Sequence, residues 1–509
     1  MFYKIKNEYF IFFISFLIYL PPILWGNYFM DDSYRSLDGR YDWVGDYRPV
    51  ADLIYYILGQ GYFIDLFPYT YIIQIFICSY FIYIITKKTQ QVYDFNAKYE
   101  KFVSLGFFCL FLNPFFLQNI YFRYDSLPMM LSIIFVCLPL YFEYRKIIIS
   151  MVFCLLTLLT YQSSIIGFPI LICLHTLFLL SKNHTQKEVA LFISKNILAL
   201  FLAFIFFGFI SKFLIEPNHY ASENLNFIFS YSNWKNLLYE NIKYSIGNLI
   251  ITNRLLDYII FSILLILSLL SILLILKNHK SNFVFKVAIF LGLILMCSLA
   301  LLNINIFLYQ PRLHARTYIG FGFMNLFIYL SVVFYFLKKP IKKNEFIFLF
   351  FILSYLPFIY FGINSATFNA MKDLTKYNEN VIFSLIQDIK RIKTNQDHLI
   401  ALGDAGYTKR YNSILENYPI VERIDNQSLN MNIVNHFYGY MGNYNLGLNT
   451  YFYRDVLFNN IKIYNSIKNE KPKIKTGFYN IYLKDSNIII IFKEDNLVNI
   501  KKMRTRFDY

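Results

Sequence analysis

Apolar runs of about 16–22 residues recur from Tyr9 to Ile363, close to the ~20 residues that carry a helix across a bilayer. Backbone groups in such runs must be satisfied within the segment, because hydrocarbon offers no partners, and helices do this. Composition agrees: 57% of residues are hydrophobic, 16% are charged and mean hydropathy is +0.42. Soluble chains carry about a quarter charged residues. The chain is therefore expected to be a mainly α-helical polytopic membrane protein.

About eleven spans are predicted, at 9–25, 68–86, 102–118, 127–142, 147–160, 164–180, 189–213, 256–276, 287–308, 317–337 and 346–363. Tyr161-Gln162-Ser163-Ser164 marks a tight turn or a mid-membrane break between the fifth and sixth. The first run carries no small-x-small cleavage pattern after it, so it is expected to stay as a span.

The net charge of +16 sits in alternate hydrophilic breaks, including Lys87, Lys88, Lys98 and Lys101, then Lys182 and Lys187, then Lys338, Lys339, Lys342 and Lys343. That is the pattern of cytoplasmic loops under the positive-inside rule, and not of a nucleic-acid surface. It places the amino terminus in the cytoplasm and the carboxyl end outside. All six cysteines lie within apolar segments and lack metal-ligand spacing, so neither a disulfide framework nor a metal site is implied.

The outer breaks carry the polar character. Residues 26–67 are long and rich in Asp, Arg, Tyr and Gly, and Val50 to Phe67 can lie as a helix along the membrane surface. Residues 214–255 form a second such segment, with Trp234, Lys235, Tyr239 and Lys243 spaced for an interfacial helix. Two domains are expected: a transmembrane domain over 1–363 and an outer soluble domain over 364–509. The latter reads as α/β or α+β, with a helix at 378–393, a strand at His398–Leu402 ending in Gly403-Asp404-Ala405-Gly406, and a buried strand at Ile488–Phe492.

Three charged clusters fall on one side of the membrane. Asp31-Asp32 follows the first span directly, with Arg35, Asp38, Arg40, Asp42, Asp46 and Arg48 beyond. Carboxylates at a membrane edge are functional candidates, and one beside a water-filled cleft can act as a general base. The alternative is structural: the pair can cap a short helix and ion-pair with Arg35. Asp38, Asp42 and Asp46 read as solvated turn residues. Arg123-Tyr124-Asp125 forms the second cluster, an interfacial ion pair or a guanidinium at the mouth of the same cleft. In the third, Pro311 suits the first turn of the tenth span, putting Arg312 and Arg316 on one helical face and His314 elsewhere. Two guanidiniums at a helix start suit a lipid phosphate or a head-group anchor. Tyr407, Tyr411, Tyr418, Tyr438, Tyr440 and Tyr444 in the tail can stack on sugar rings or pack a core.

These stretches carry a resemblance. Asp31-Asp32-x-x-Arg35-Ser36 with Gly39, then Gly45, Arg48-Pro49 and Ala51-Asp52-Leu53, resembles the opening of the Gtr type II glucosyltransferases, which modify bacterial O-antigens. Asn113-Pro114-Phe115 with Tyr121-x-Arg123-Tyr124-Asp125-Ser126-Leu127 is similar to a second stretch of that family. Tyr161-Gln162-Ser163-Ser164 is similar to a third, and Pro311-Arg312 to a fourth.

The resemblance implies a GT-C-like membrane glycosyltransferase of the bacterial inner membrane; no cofactor or metal is expected, since the chain carries no Gly-rich phosphate loop, no HExxH and no Cys/His cluster. Its donor would be a polyprenyl-phosphate-linked hexose, commonly glucose, presented on the periplasmic side. Its acceptor would be O-antigen or a related lipid-linked polysaccharide, and its functional partners a donor synthase and a small flippase. Asp31 or Asp32 would be the catalytic base, with Arg35, Arg123, Arg312 and Arg316 on the donor phosphate. Arg48, Tyr124, Asp125, Gln162 and His314 would support them. The rivals are a lipid-linked sugar flippase or transporter, which would carry repeats and charges within its spans, and an O-antigen polymerase.

Overall fold

The computed structural model describes residues 6–32, 35–36, 39, 41–94, 99–142, 146–218, 227–309, 311, 313–337, 343–392, 398–403, 405–425, 449–450, 463–485 and 487–492. The chain divides into two compact units. The first comprises Met1–Gly26, Tyr41–Ala366 and Asn417–Ile424; the second comprises Asn27–Arg40, Thr367–Glu416 and Asp425–Tyr509.

The first unit is helical. In chain order it contains α1 (Asn7–Trp25), α2 (Pro49–Leu58), α3 (Tyr69–Tyr93), α4 (Glu100–Leu112), α5 (Pro114–Tyr121), α6 (Ser126–Tyr141), α7 (Ile147–Thr160) and α8 (Gly167–Ser181). Then come α9 (Gln186–Phe213), α10 (Trp234–Asn248), α11 (Leu255–Asn278), α12 (Phe283–Leu302), α13 (Ile319–Leu337) and the first part of α14 (Lys343–Ile392). Among the described residues, seven helical segments are long and apolar enough to cross a membrane, and the α4–α5 pair makes up to eight. Four shorter apolar helices, Pro49–Leu58, Ser126–Tyr141, Ile147–Thr160 and Ile319–Phe334, accompany them. The chain thus fits a multi-pass membrane protein.

Burial separates core from rim. α13 is buried on every side from Ile319 to Phe334 and packs against α4, α8, α11 and α12. A helix apolar all round belongs in such a centre. α9 is the opposite case: Val189, Asn196, Ala199 and Ala203 are its buried residues, a stripe of mostly small side chains facing α7, where Ser150 donates to Asn196 Oδ1. Its exposed Phe201, Phe204 and Phe209 make a surface suited to lipid.

The expected span at 102–118 is broken. α4 and α5 meet at 59° across Asn113. Asn113 is extended, its side chain accepts from the Phe116 amide and donates to the Cys109 and Leu110 carbonyls, and Pro114 opens α5. One side chain so caps both helices, and proline at the first helical position suits the new start. A Cβ at Gly322 would lie 2.7 Å from Asn113 Nδ2, so only glycine lets α13 approach this corner.

A further expectation changes. The tenth span does not begin at Pro311: residues 311, 313 and 314 are non-helical, a 3-10 turn covers Ala315–Thr317, and the helix starts at Ile319. His314 is extended, so the backbone cannot enter the helix there. The helix that holds the expected eleventh span continues beyond residue 363. α14 runs through to Ile392 because Asn364 to Thr375 contains neither Gly nor Pro to stop it.

The second unit centres on a five-stranded sheet. Its strands β1 (His398–Leu402), β2 (Asn449–Thr450), β3 (Ile474–Lys475), β4 (Tyr479–Lys484) and β5 (Asn487–Phe492) are ordered β2-β1-β5-β4-β3. β1 pairs in parallel with β2 and β5, and β4 runs antiparallel to β3 and β5. Ile488 to Phe492 are all buried, the composition of a central strand covered on both faces. Val381, Ile382, Leu385, Ile386 and Ile389 on α14 share the core with it. The expected strands at His398–Leu402 and Ile488–Phe492 are thus adjacent partners.

Of the tail tyrosines, Tyr411 is buried, stacks on Tyr407 and donates to the Asp425 carbonyl, so it packs the fold. Tyr418 belongs to the first unit, where its hydroxyl accepts from Arg254. Tyr438, Tyr440, Tyr444 and Asp404 lie outside the described residues.

Candidate active site

In the first unit a polar cluster gathers stretches that are far apart in sequence. It begins in the loop before α2. Trp43 is fully buried and seeds a 3-10 turn, Val44–Asp46, whose first amide donates to Asp52 Oδ2. Tyr47 follows in the left-handed region at φ 61°, which reverses the chain and presents Arg48 just before Pro49 opens α2.

Arg48 Nη2 pairs with Asp46 Oδ2 at 2.9 Å, and Arg48 Nη1 with Asp125 Oδ1 at 3.5 Å. Asp46 Oδ1 accepts from Asn218 Nδ2 at 2.8 Å. The expectation that Asp46 is a solvated turn residue is therefore overturned: the turn at Tyr47 folds its carboxylate back onto Arg48. Burial alone would lower the Arg48 pKa, but Asp125 and Asp46 outweigh it and hold it above the ordinary value.

Tyr161 and Gln162 close one side. Tyr161 is extended between α7 and the 3-10 turn Gln162–Ile166, so the Tyr161–Ser164 motif is a break filled by a turn. Gln162 Nε2 donates to the Tyr47 carbonyl at 3.0 Å, fixing the reversal before Arg48. The Arg48 guanidinium lies 5.8 Å from the Tyr161 ring centroid. Burial raises the Tyr161 pKa, and the nearby Arg316 and Arg48 charges offset it only in part, so the phenol stays protonated.

Arg316 completes the group. Its amide donates to Gln118 Oε1 at 2.7 Å, and its carbonyl accepts from Asn119 Nδ2 and from the Tyr161 hydroxyl, each at 3.2 Å. Its guanidinium lies over the Phe122 ring at 4.9 Å, close enough to Arg48 for the two charges to repel. The loop behind it is held by α10. Asn241, Ser245 and Asn248 share one face of that helix, and they donate to the carbonyls of Ile306 and Leu308, Leu302, and Leu313. Spacing shows Trp234 and Lys243; the buried polar stripe is what fixes the loop.

Other expected residues stand apart from Arg48. Arg123 pairs with Asp65 at 2.6 Å, donates to the Gly26 carbonyl and lies 4.3 Å from the Phe67 ring centroid. It locks the end of α1 to the 65–67 loop, and it faces different partners from Asp125. Tyr124 is buried against Phe63, Tyr41 and Tyr55. The His314 carbonyl accepts from the amide and hydroxyl of Thr317 and turns the chain into the 3-10 segment. Arg312 lies outside the described residues.

Asp31, Asp32 and Arg35 belong to the second unit. Asp32 is buried, its carboxylate accepts from the Phe29 amide at 3.3 Å, and its own amide donates back to the Phe29 carbonyl. Asp31 is half-buried, and its carbonyl accepts from the Arg35 amide. Met30 before them is left-handed at φ 48°. The pair is thus differentiated, with Asp32 spent on the turn and Asp31 more open.

Residues not foreseen are Gln118, Asn119, Asn218 and Asp65. Gln118 is the most connected. Besides Arg316 it donates Nε2 to the carbonyls of Arg423 and Ile424, joining the Asn417–Ile424 segment to α5. An amide pair inside the otherwise apolar Pro114–Tyr121 was the available signal.

Known proteins share much of this sequence. A family model described as "Glucosyl transferase GtrII" matches residues 23–327. A protein of Salmonella phage P22, described as an uncharacterized 55.3 kDa protein in the gtrB 5' region, is 29% identical over 210 residues. That match covers 40% of this chain and 42% of the phage protein, so the chain spans less than half the length of that relative. No solved structure matches. The family match takes in more than half of the chain and every residue of the Arg48 cluster, and this protein belongs to the GtrII glucosyl transferase family.

Proposed function

We propose that this chain is a membrane glycosyltransferase that moves a hexose, glucose by its family's name, from a polyprenyl-phosphate-linked donor to O-antigen or a related surface polysaccharide. The donor class, the GT-C-like arrangement, the periplasmic side and the inner-membrane location come from the family resemblance and the charge pattern of the loops. The observation that carries the chemistry is the meeting of Arg48 and Arg316 beside Tyr161. Two guanidiniums held together by backbone and carboxylate bonds favour an anion between or beside them.

In the reaction the bond from the sugar's anomeric carbon to the phosphate oxygen breaks, and the electron pair leaves on the lipid phosphate. The acceptor hydroxyl oxygen bonds to the same carbon from the opposite face, giving inversion. Charge grows on a phosphate, where fixed guanidiniums stabilise it. Arg316 and Arg48 are assigned this role, with Arg312 from the same loop. Arg123, tied to Asp65 and Gly26, is assigned to hold the loop. The hydroxyl's proton goes to the Asp31–Asp32 pair, on the strength of its place directly after the first span.

Purified protein in proteoliposomes, given polyprenyl-phosphoglucose and lipid-linked O-antigen, is expected to yield a product heavier by one hexose. No hexose gain with this donor would overturn the proposal. Movement of donor or oligosaccharide across the bilayer without transfer would favour the flippase.

A further inference from the structure

The helix that braces the Arg316 loop is built inside out. α10 turns Asn241, Ser245 and Asn248 toward protein, and all three are buried and spent on carbonyls. A helix on a soluble surface has the reverse order, with its apolar stripe inward. At about 100° per residue, Tyr239 and Ile246 fall on the side of α10 opposite that polar stripe, and they are 64% and 55% exposed. Lys235 and Lys243 share the outward side with them, and both are exposed. Lys235, Tyr239, Lys243 and Ile246 thus form one stripe at i, i+4, i+8 and i+11. Glu240 lies on a flank, about 100° round from Tyr239.

The depth of α10 follows from what it crosses. Ser245 donates to the carbonyl of Leu302, the last residue of α12, and Asn248 donates to the hydroxyl of Tyr318, just before α13. The helix therefore lies across the ends of two apolar helices. The chain arrives from the end of α9, where Phe213 and Leu214 are exposed, and leaves into α11, where Leu255 and Leu256 are exposed. Asn218, between α9 and α10, donates to Asp46, so this is the end of the helices that holds the Arg48 cluster. Apolar and aromatic side chains interleaved with lysines, level with the ends of membrane-crossing helices, suit a helix seated in a head-group layer. The rings and aliphatic chains reach the acyl boundary, and the ammoniums meet anionic phosphates.

We propose that the Lys235-Tyr239-Lys243-Ile246 stripe docks on the anionic head-group layer of the leaflet at this end of the helices. The opposite stripe holds the Ile306, Leu308 and Leu313 carbonyls, so docking also sets the depth of the loop that carries Arg316. That second part rests on the phosphate role proposed for Arg316; the docking itself does not.

Hydrogen exchange of the full chain in nanodiscs, rich in phosphatidylglycerol or made of phosphatidylcholine alone, tests the docking. Amides of 234–248 are expected to exchange about fivefold or more slowly with phosphatidylglycerol, the effect of at least one lysine at an anionic surface. The Lys235→Gln, Lys243→Gln double variant should lose that difference. Lys286→Gln, at the other end of α12, should keep it. Equal exchange of the native chain in both bilayers overturns the proposal, and so does a difference that survives in the double variant. Slowing by soluble O-antigen polysaccharide in place of phosphatidylglycerol would assign the stripe to the acceptor and also overturn it. The link to Arg316 has its own readout: the double variant should raise donor KM about fivefold at unchanged kcat. An unchanged KM contradicts the link. Absence of transfer by the native chain in either bilayer is a failure of the sugar-transfer reading, and exchange at 304–309 then decides the link. Slowing there by phosphatidylglycerol in the native chain, lost in the double variant, supports it; no slowing overturns it.

Discussion

Asp125 Oδ1 lies 3.5 Å from Arg48 Nη1, although 77 residues separate them in sequence. The contact joins the loop before α2 to the start of α6, and Asp125 is almost completely buried. Removing one partner of a buried ion pair leaves the other desolvated without compensation.

Asp125→Asn is therefore expected to cost on the order of 2–3 kcal/mol, below the usual range for a broken buried pair because Asp46 remains on Arg48. Thermal melting of the detergent-purified chain checks this. The Arg48→Gln, Asp125→Asn double variant should be less destabilised than the sum of the single changes. Additive losses would mean that the pair is not coupled.

Gln118 holds the Arg316 amide and the Arg423 and Ile424 carbonyls at once. Gln118→Ala should cost about 1–3 kcal/mol, as buried groups lose their partners. Transfer should weaken chiefly through a higher KM for the lipid donor, because Arg316 loses its tether. Gln118→Glu keeps the acceptor for Arg316 and should recover donor KM better than it recovers stability. A donor KM unchanged in both variants would separate Gln118 from the phosphate site.

How much of this was legible follows the physics of each residue. Long apolar runs announce helices because lipid permits little else, and Ile488 to Phe492 announces a covered strand by its lack of polar side chains. The corner at Asn113-Pro114 is visible as a motif, but the 59° bend depends on Asn113 capping both helices and on Gly322 across from it. Arg48 and Asp125 stand out by charge. Asp46 does not, because its burial depends on a left-handed Tyr47 that composition does not reveal. Gln118 and Asn119 are ordinary polar residues in sequence, and they acquire meaning only through the carbonyls they meet.

In the second unit, Tyr479 donates to Asp388 Oδ2 at 2.9 Å. Burial, then the Asp388 carboxylate, raises the Tyr479 pKa well above its ordinary value near 10. Unfolded chain loses this proton first, so the contribution is present below about pH 10 and is lost as pH climbs toward the raised value. Tyr479→Phe should cost about 1 kcal/mol at pH 7 and melt with a shallower decline between pH 9 and 11. An alkaline slope equal to that of native protein would contradict the shift.

The direct test of sugar transfer is single-turnover reaction of the reconstituted chain with polyprenyl-phosphoglucose, run for native protein and for Asp31→Asn and Asp32→Asn. Removal of a general base should lower the rate by about 10²–10⁴-fold. That loss is expected in at least one variant, most strongly at the more open Asp31, with membrane insertion unchanged. Native rates in both variants would contradict the account.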